Sequence, residues 1–279
     1  MANVSPVVAP TTGNGPGFGF LARVFLWCGV ISAAFILFVI VAPIAPWFPE
    51  ATHQASEVDN LFKFMLAVGG AITIFVNGLI VAFAIHYRRR NNEPADALGT
   101  QIHGNTRIEV IWAAIPAVLL AFLLAISLGV WSEEHTEQKG ALHLTVHGFQ
   151  YGWGFYLPDY GVKLDPASPS DPVAIPVNKP VYVSEYSNDV IHSFWVPEFR
   201  LKQDVVPLPN HQQTHEQFTP VQVGLYRVVC TEFCGSGHSG MEGRLIKVVS
   251  QADFVTWLRK HHATRLPSST TTTAALIQH

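Results

Sequence analysis

The chain has 279 residues, of which 49% are hydrophobic and only 13% are charged, about half of the charged share that is usual in a soluble domain. This composition, with a mean hydropathy of +0.25, excludes a disordered or collagen-like chain and argues against a single water-soluble globule. The formal net charge of −3, from 17 basic and 20 acidic residues, argues against a nucleic-acid partner, which would need a surplus of lysine and arginine. Three cysteines are too few for a small secreted domain held together by disulfides.

Three long uncharged runs hold much of the apolar excess. They cover residues 24–45, 64–85 and 110–130, and each is long enough for the roughly 20 apolar residues of a membrane-spanning helix. Globular helices rarely stay uncharged on every face over such a length. We therefore predict three transmembrane helices within a membrane anchor, residues 1–131. The first run could instead be a signal peptide, but it is longer than the usual apolar segment of one, and no clear small-x-small cleavage site follows it.

The charges of the connecting segments predict the orientation of the anchor. Four arginines lie between residues 88 and 107, whereas residues 47–60 hold three acidic residues and no lysine or arginine. By the positive-inside rule the arginine-rich segment is cytoplasmic. The N-terminus is then cytoplasmic as well, and everything after the third run lies outside. Because the first helix is retained, we expect a bacterial plasma membrane, with the outer domain in the periplasm.

The remainder of the chain has the pattern of a folded domain outside the membrane. Runs rich in β-branched and aromatic residues predict strands at 142–146, 181–186, 225–230 and 244–249. Glycine- and proline-rich stretches separate them, which is typical of an antiparallel β-sandwich or barrel. An amphipathic stretch at 252–260 predicts one short helix. We assign residues 132–262 to this β-domain and residues 263–279, rich in serine and threonine, to a flexible tail.

The outer domain also has a mild acidic bias. Between residues 132 and 210 there are 10 acidic and 5 basic residues. Such a bias could attract a basic partner, or it could be ordinary solvated surface.

The densest chemical signal is the segment CTEFCGSGHSGM at residues 230–241. Two thiols, an imidazole and a thioether follow one another at intervals of four, four and three residues. Several glycines make a helix unfavourable here. We therefore predict a loop that folds these donors around one point.

Three kinds of site compete for this loop. A disulfide between the two cysteines is allowed outside the membrane but leaves His238 and Met241 unexplained. A structural zinc ion would take cysteine and histidine but has no need of a thioether. Copper binds thiolate, imidazole and thioether, and a mononuclear blue-copper site uses one cysteine, so the second thiolate favours a binuclear copper site. His192, in the strand-like segment DVIHSFWVP, is the candidate for a second histidine, although a histidine in a sandwich core is the simpler interpretation.

These motifs resemble those of subunit II of the haem–copper cytochrome c oxidases, over about residues 62–260. The resemblance rests on the loop at 230–241, the segment at 189–197 and the sequence RIEVIW at 107–112, which opens the last apolar run. It implies a membrane anchor followed by an all-β, cupredoxin-like Greek-key sandwich that holds the binuclear copper centre CuA.

The resemblance also implies a role for each donor. Cys230 and Cys234 would bridge the two coppers, and His192 and His238 would bind one copper each. Met241 would be a weak ligand of one of them.

The resemblance implies functional roles for four further residues. The backbone carbonyl of Glu232 would bind the second copper, and its carboxylate would point to a Mg²⁺ ion shared with subunit I. Glu109 falls where the family has a glutamate at the entrance of a proton pathway, although the helix dipole also favours an acid in a first turn. Tyr151 and Trp153 fall in the aromatic cluster through which the family accepts electrons, with Gly152 in place of the middle aromatic. Ordinary aromatic packing would explain them as well.

The expected function is that of the electron-accepting subunit of a proton-pumping terminal oxidase. The resemblance implies that the chain takes single electrons from a c-type cytochrome and passes them to a haem in subunit I, which reduces oxygen to water. Subunit III and the lipid bilayer are the other expected partners. A nitrous-oxide or nitric-oxide reductase with a CuA domain would use the same chemistry. A copper-delivery or structural membrane protein would transfer no electrons, and the quinol-oxidase branch generally lacks the copper ligands.

Overall fold

The computed structural model of the chain describes residues 18–41, 49–88, 104–164, 171–209, 212–243 and 245–267. The chain divides into two compact units, residues 1–44 with 62–109 and residues 45–61 with 110–279.

Three helices in the described residues are long and apolar enough to cross a membrane: α1 (Phe18–Val41), α2 (His53–His86) and α3 (Thr106–His135). The three predicted apolar helices are confirmed, and residues 42–45 of the first run lie outside the described residues. α2 and α3 extend beyond their apolar runs, because polar residues at both ends continue the helix. Thr52 caps α2, since its Oγ1 accepts a hydrogen bond from the backbone N–H of Ala55 at 3.1 Å.

α1 packs against α2 through small side chains. Ser32 Oγ donates a hydrogen bond to the carbonyl of Ala71 at 3.0 Å. Gly78 faces Cys28 so closely that a Cβ added at Gly78 would lie 2.8 Å from the Cys28 Sγ. Close approach through small residues is typical of paired membrane helices, so Cys28 has a packing role here.

The described part of the second unit contains an all-β domain followed by a short helix, α4 (Gln251–Lys260). Its strands are β1 (Leu142–Phe149), β2 (Gly152–Leu157), β3 (Val162–Lys163), β4 (Val173–Pro176), β5 (Val181–Ser187), β6 (His192–Val196), β7 (Leu201–Val205), β8 (Thr214–Phe218), β9 (Gly224–Arg227), β10 (Val229–Cys230) and β11 (Leu245–Val249). The predicted class, apolar helices followed by an all-β domain, is confirmed. Residue 244, predicted as the start of the last strand, and residues 268–279 of the predicted tail lie outside the described residues.

The strands form three sheets with the orders β3-β2-β1-β5-β8, β10-β6-β7 and β4-β11-β9. Most of these pairs are antiparallel, as expected, but the structure departs from the expected antiparallel sandwich at two places, where β1 pairs with β5 and β4 pairs with β11 in parallel. Parallel pairs need long crossover connections. The sequence between neighbouring predicted strands does not indicate which strands distant in the chain pair with each other.

A single hydrophobic core lies beneath all three sheets. Along β1, buried and half-buried residues alternate, and the parallel register places Leu142 opposite Val181 and Leu144 opposite Val183. The largest fully buried side chains include Trp153 and four phenylalanines, at 155, 194, 199 and 218. Burial of each large apolar side chain contributes about 1.5–3 kcal/mol, so this core holds the strands that carry the candidate site.

The start of α2 is tied to the turn between β6 and β7. Arg200, which has a left-handed backbone conformation with φ 57°, makes two hydrogen bonds of 2.8 Å to the carboxylate of Asp59. Both side chains are largely buried. Thr52 Oγ1 adds a 2.9 Å hydrogen bond to the carbonyl of Phe199. The strand that begins at His192 is therefore anchored at its far end.

Candidate metal centre

Two paired strands bring the first donors together. β6 begins at His192, and β10 ends at Cys230, which lies opposite Phe194 in the antiparallel register. The backbone N–H of Thr231 continues this contact with a 3.1 Å hydrogen bond to the carbonyl of Ser193. Residues 38 positions apart in the sequence thus place their ligand atoms 3.9 Å apart, between Cys230 Sγ and His192 Nδ1.

The loop after β10 folds the remaining donors back onto Cys230. The N–H of Cys230 donates to the carbonyl of Met241 at 3.1 Å, which closes the loop at its base. Inside it, the N–H of Met241 donates to the carbonyl of His238, and the N–H of His238 to that of Gly235, both at 3.1 Å. Gly235 has φ 134°, a conformation that side chains disfavour. The predicted loop is therefore present, with one short turn around His238.

The donor atoms of the loop converge. Cys230 Sγ lies 3.9 Å from Cys234 Sγ and 3.3 Å from the carbonyl oxygen of Glu232. Cys234 Sγ lies 3.6 Å from His238 Nδ1 and 3.8 Å from Met241 Sδ. All six predicted ligand positions therefore contribute an atom to one small region, and both cysteines are free thiols.

Burial differs among these donors. His192, Cys230, Cys234 and Met241 are buried, and His238 is half-buried. The side chain of Glu232 is exposed, so its carbonyl faces the sulfur while its carboxylate is free to reach a partner. Soft sulfur donors with imidazole are the ligands that copper prefers, and this set fits that metal.

The two thiols differ in acidity. Burial tends to raise the pKa of Cys230, but hydrogen bonding with His192 and with the backbone at Ser193 and Glu232 outweighs it and lowers the pKa to about 6. Burial and the neighbouring Cys230 charge raise the pKa of Cys234 to about 11. The two thiols are therefore not equivalent, and a metal that binds both as thiolates must displace their protons.

Asp189 orients His192 by contacting the ring nitrogen that does not face Cys230, and the sequence analysis assigned Asp189 no role. Its Oδ1 lies 2.9 Å from His192 Nε2, and its carboxylate also accepts hydrogen bonds from the N–H groups of Gln150 and Val190 and from Ser187 Oγ. Burial works against ionisation, but these hydrogen bonds dominate and lower the pKa of Asp189 to about 2. The only sequence signal was an acid three residues before the histidine in a turn.

The two predicted electron-accepting aromatics lie in different surroundings. Tyr151 is 44% exposed, and its ring covers the loop at residues 230–241, called the metal loop below. The ring packs so closely that a Cβ added at Gly237 would lie 2.5 Å from a ring atom of Tyr151. Trp153 is 1% exposed and makes an edge contact with the His192 ring, at 6.0 Å between centroids. Gln150, which was also missed, donates from its side chain to the Cys234 carbonyl.

Glu109 lies in the first turn of α3. Its Oε1 accepts a 2.9 Å hydrogen bond from the N–H of Asn105, and Asn105 Oδ1 accepts one of 3.4 Å from the N–H of Ile108. This reciprocal arrangement caps the helix. It gives Glu109 a local structural role, and its role in a proton pathway stays a prediction.

Comparison with known proteins places both parts of the chain in one family. The family model "Cytochrome C oxidase subunit II, transmembrane domain" matches residues 43–130, and the model "Cytochrome C oxidase subunit II, periplasmic domain" matches residues 163–249. α1 precedes the residues that these two family models match.

Individual relatives carry the same description. Cytochrome c oxidase subunit 2 of Thermostichus vulcanus is 33% identical, over 77% of this chain and 78% of the relative. That of Cereibacter sphaeroides is 29% identical, over 76% and 78%. Among solved structures, the periplasmic domain of subunit II of cytochrome oxidase (CoxB) of Bradyrhizobium japonicum is 25% identical, with a TM-score of 0.41, over 46% of this chain and 97% of that one. The apolar helices, the all-β domain, the two family models and the 33% identical relative agree: the chain belongs to the cytochrome c oxidase subunit II family.

Proposed function

We propose that this chain is the subunit through which electrons enter a haem–copper oxidase, and that it holds a binuclear CuA centre. The observation that carries the proposal is the convergence of two thiols, two imidazoles, a thioether and a carbonyl oxygen within one closed loop and its neighbouring strand. The ligands would be His192, Cys230, Glu232 (carbonyl), Cys234, His238 and Met241.

Two copper ions held by these residues would supply one-electron transfer. The chain's own contribution is to hold the donors still. Cys230 and His192 are fixed by paired strands, and Met241 is fixed by the backbone hydrogen bond that closes the loop. Rigid donors lower the cost of ordering a site around its metal.

Tyr151 is the residue that we propose for contact with the electron donor, a c-type cytochrome. Its ring is exposed and lies directly on the loop. Trp153 would take part in electron entry from beneath the surface, since it is buried and its ring contacts that of His192. The acidic bias of residues 132–210 would attract a basic donor surface.

The onward steps belong to partner subunits. We propose that electrons pass to a haem in subunit I, where oxygen is reduced to water and protons are pumped, with subunit III as a further partner. The exposed carboxylate of Glu232 would bind a Mg²⁺ ion shared with subunit I, and Glu109 would mark the entrance of a proton pathway. The β-domain would then be periplasmic and the N-terminus cytoplasmic, in a bacterial plasma membrane, with residues 1–131 as the anchor.

Copper loading of the full chain in detergent tests the proposal. Optical and EPR spectra should give a purple centre with one unpaired electron shared over two coppers. The variant Cys234→Ser should lose the shared-electron signal, and Cys28→Ser, in α1, should keep it. A type 2 copper spectrum, or a stable zinc site that excludes copper, would contradict the binuclear assignment.

A further inference from the structure

Two buried glutamates lie side by side in the β-domain, in neither of the motifs used above. Glu185 on β5 is 0% exposed and Glu216 on β8 is 3% exposed. The antiparallel register places Glu216 opposite Val183 and Glu185 opposite Thr214. Both carboxyls therefore point from neighbouring strands into the same part of the core, where hydrophobic residues normally stand.

The surroundings supply few hydrogen-bond donors to these groups. Thr214 Oγ1 lies 3.2 Å from Glu185 Oε2. Oε1 of Glu185 and Oε1 of Glu216 have no hydrogen-bond partner among the described residues. Within the same described ranges, neither carboxylate forms an ion pair with a lysine, arginine or histidine. A buried charge without a partner is costly, so the pair needs another source of neutralisation.

The neighbouring charges increase that need. Each carboxyl is near enough to shift the pKa of the other through hydrogen bonding, and a hydrogen bond between two carboxyls requires a proton. Asp204 on β7 adds negative charge near Glu185, and Glu134 at the end of α3 adds it near Glu216. Burial raises the pKa of both groups, that of Glu216 to about 8.

We propose that Glu185 and Glu216 form a proton-binding site of the folded β-domain, in which the carboxyl pair is protonated at neutral pH. Loss of protons leaves negative charge in the core and weakens the pairing of β5 with β8. The site is separate from the metal loop and does not depend on the function proposed above.

The sign of the pH effect follows from the difference between the folded and unfolded chains. Unfolded glutamates ionise near pH 4.3, whereas burial raises the pKa of Glu216 to about 8 and that of Glu185 well above its ordinary value. Between these values the folded chain binds more protons than the unfolded chain. The unfolding equilibrium constant should therefore rise about tenfold per pH unit for each proton that the pair retains.

The double variant Glu185→Gln/Glu216→Gln mimics the neutral pair and cannot titrate. We expect denaturant unfolding of the copper-loaded full chain in detergent to give similar stabilities for both proteins near pH 5. The variant should then become progressively more stable relative to wild type up to about pH 8. Glu50→Gln, at an exposed position, should follow the wild-type profile. Parallel pH profiles for wild type and double variant would overturn the proposal.

Infrared spectroscopy of the wild type tests the proton directly and does not require the double variant to fold. A carbonyl stretch of a protonated carboxylic acid should be present at pH 7, should shift in D₂O, and should lose intensity as the pH passes about 8. Disappearance of all such bands below pH 6 would refute the proposal. If added Mg²⁺ or Ca²⁺ removes the band at pH 7 and stabilises wild type but not Glu216→Gln, a cation occupies the pair and the proton assignment is wrong.

Discussion

Asp189→Asn is the sharpest test of how the fold prepares the metal centre. The carboxylate holds His192 through a 2.9 Å contact to Nε2, which leaves Nδ1 facing the Cys230 sulfur. It also accepts the N–H groups of Gln150 and Val190, at 2.7 and 2.6 Å. Asparagine keeps the shape and one acceptor oxygen but loses the charge that these donors stabilise.

The size of the effect on the metal site follows from the role of Asp189 as an orienting group. Loss of a group that orients a metal-binding histidine typically lowers metal affinity by about 10- to 100-fold. The pKa of Asp189 is lowered from 3.8 to about 2, so the ionised carboxylate also stabilises the fold. That stabilisation is fully present above about pH 4 and is lost as the pH falls toward 2.

Copper affinity, measured on the full chain by competition with a chelator at pH 7, checks this prediction. Asp171→Asn is the matched control, because Asp171 Oδ2 makes the same 2.9 Å contact with a histidine, His261, outside the metal site. We expect a 10- to 100-fold loss of affinity for Asp189→Asn and no loss for Asp171→Asn. Equal affinities in the two variants would show that His192 needs no orienting charge.

The other predictions concern packing, anchoring and proton supply. Gly237→Ala places a methyl group against the Tyr151 ring and should slow reduction by a c-type cytochrome in stopped-flow measurements. Gly240→Ala, where no atom lies within 4 Å, should have no effect; equal rates would contradict the packing argument. Arg200→Ala leaves the buried Asp59 carboxylate unpaired and should lower the free energy of unfolding by about 3–5 kcal/mol; a loss below 1 kcal/mol would refute it. Glu109→Gln should slow turnover of the assembled oxidase with normal copper reduction, and unchanged turnover would leave only its helix-capping role.

The donors themselves could be predicted from the sequence, but the groups that orient them could not. Cys230, Cys234, His238 and Met241 lie in one short segment, so their spacing alone indicates a common site. Membrane helices are similarly visible, because lipid imposes a long uncharged run. Asp189 acts through hydrogen bonds to groups up to 39 residues away, and no local pattern records them.

Burial and strand pairing likewise depend on residues far apart in the sequence, so a local pattern does not predict them. Tyr151 and Trp153 are two residues apart and both aromatic, yet one is exposed on the loop and the other lies in the core. β2 begins at Gly152, so Tyr151 lies in the turn before the strand, whereas Trp153 lies within the strand and pairs with Gly148 of β1. Glu185 likewise has the sequence context of an ordinary strand glutamate, and its burial follows from the parallel pairing of β5 with β1.

In the metal site that we propose, most of the donors are held in place by the fold itself. His192 and Cys230 are held by sheet hydrogen bonds, Cys234 by the Gln150 amide, and Met241 by backbone bonds at both its N–H and its carbonyl. Each of these contacts is made by protein groups alone, so the ordering cost is met by folding. His238, which is half-buried and lies in the short turn, is the least constrained donor. Metal loss should therefore begin at His238, and His238→Ala should raise the copper dissociation rate while the β-domain stays folded, which circular dichroism during chelator treatment would check.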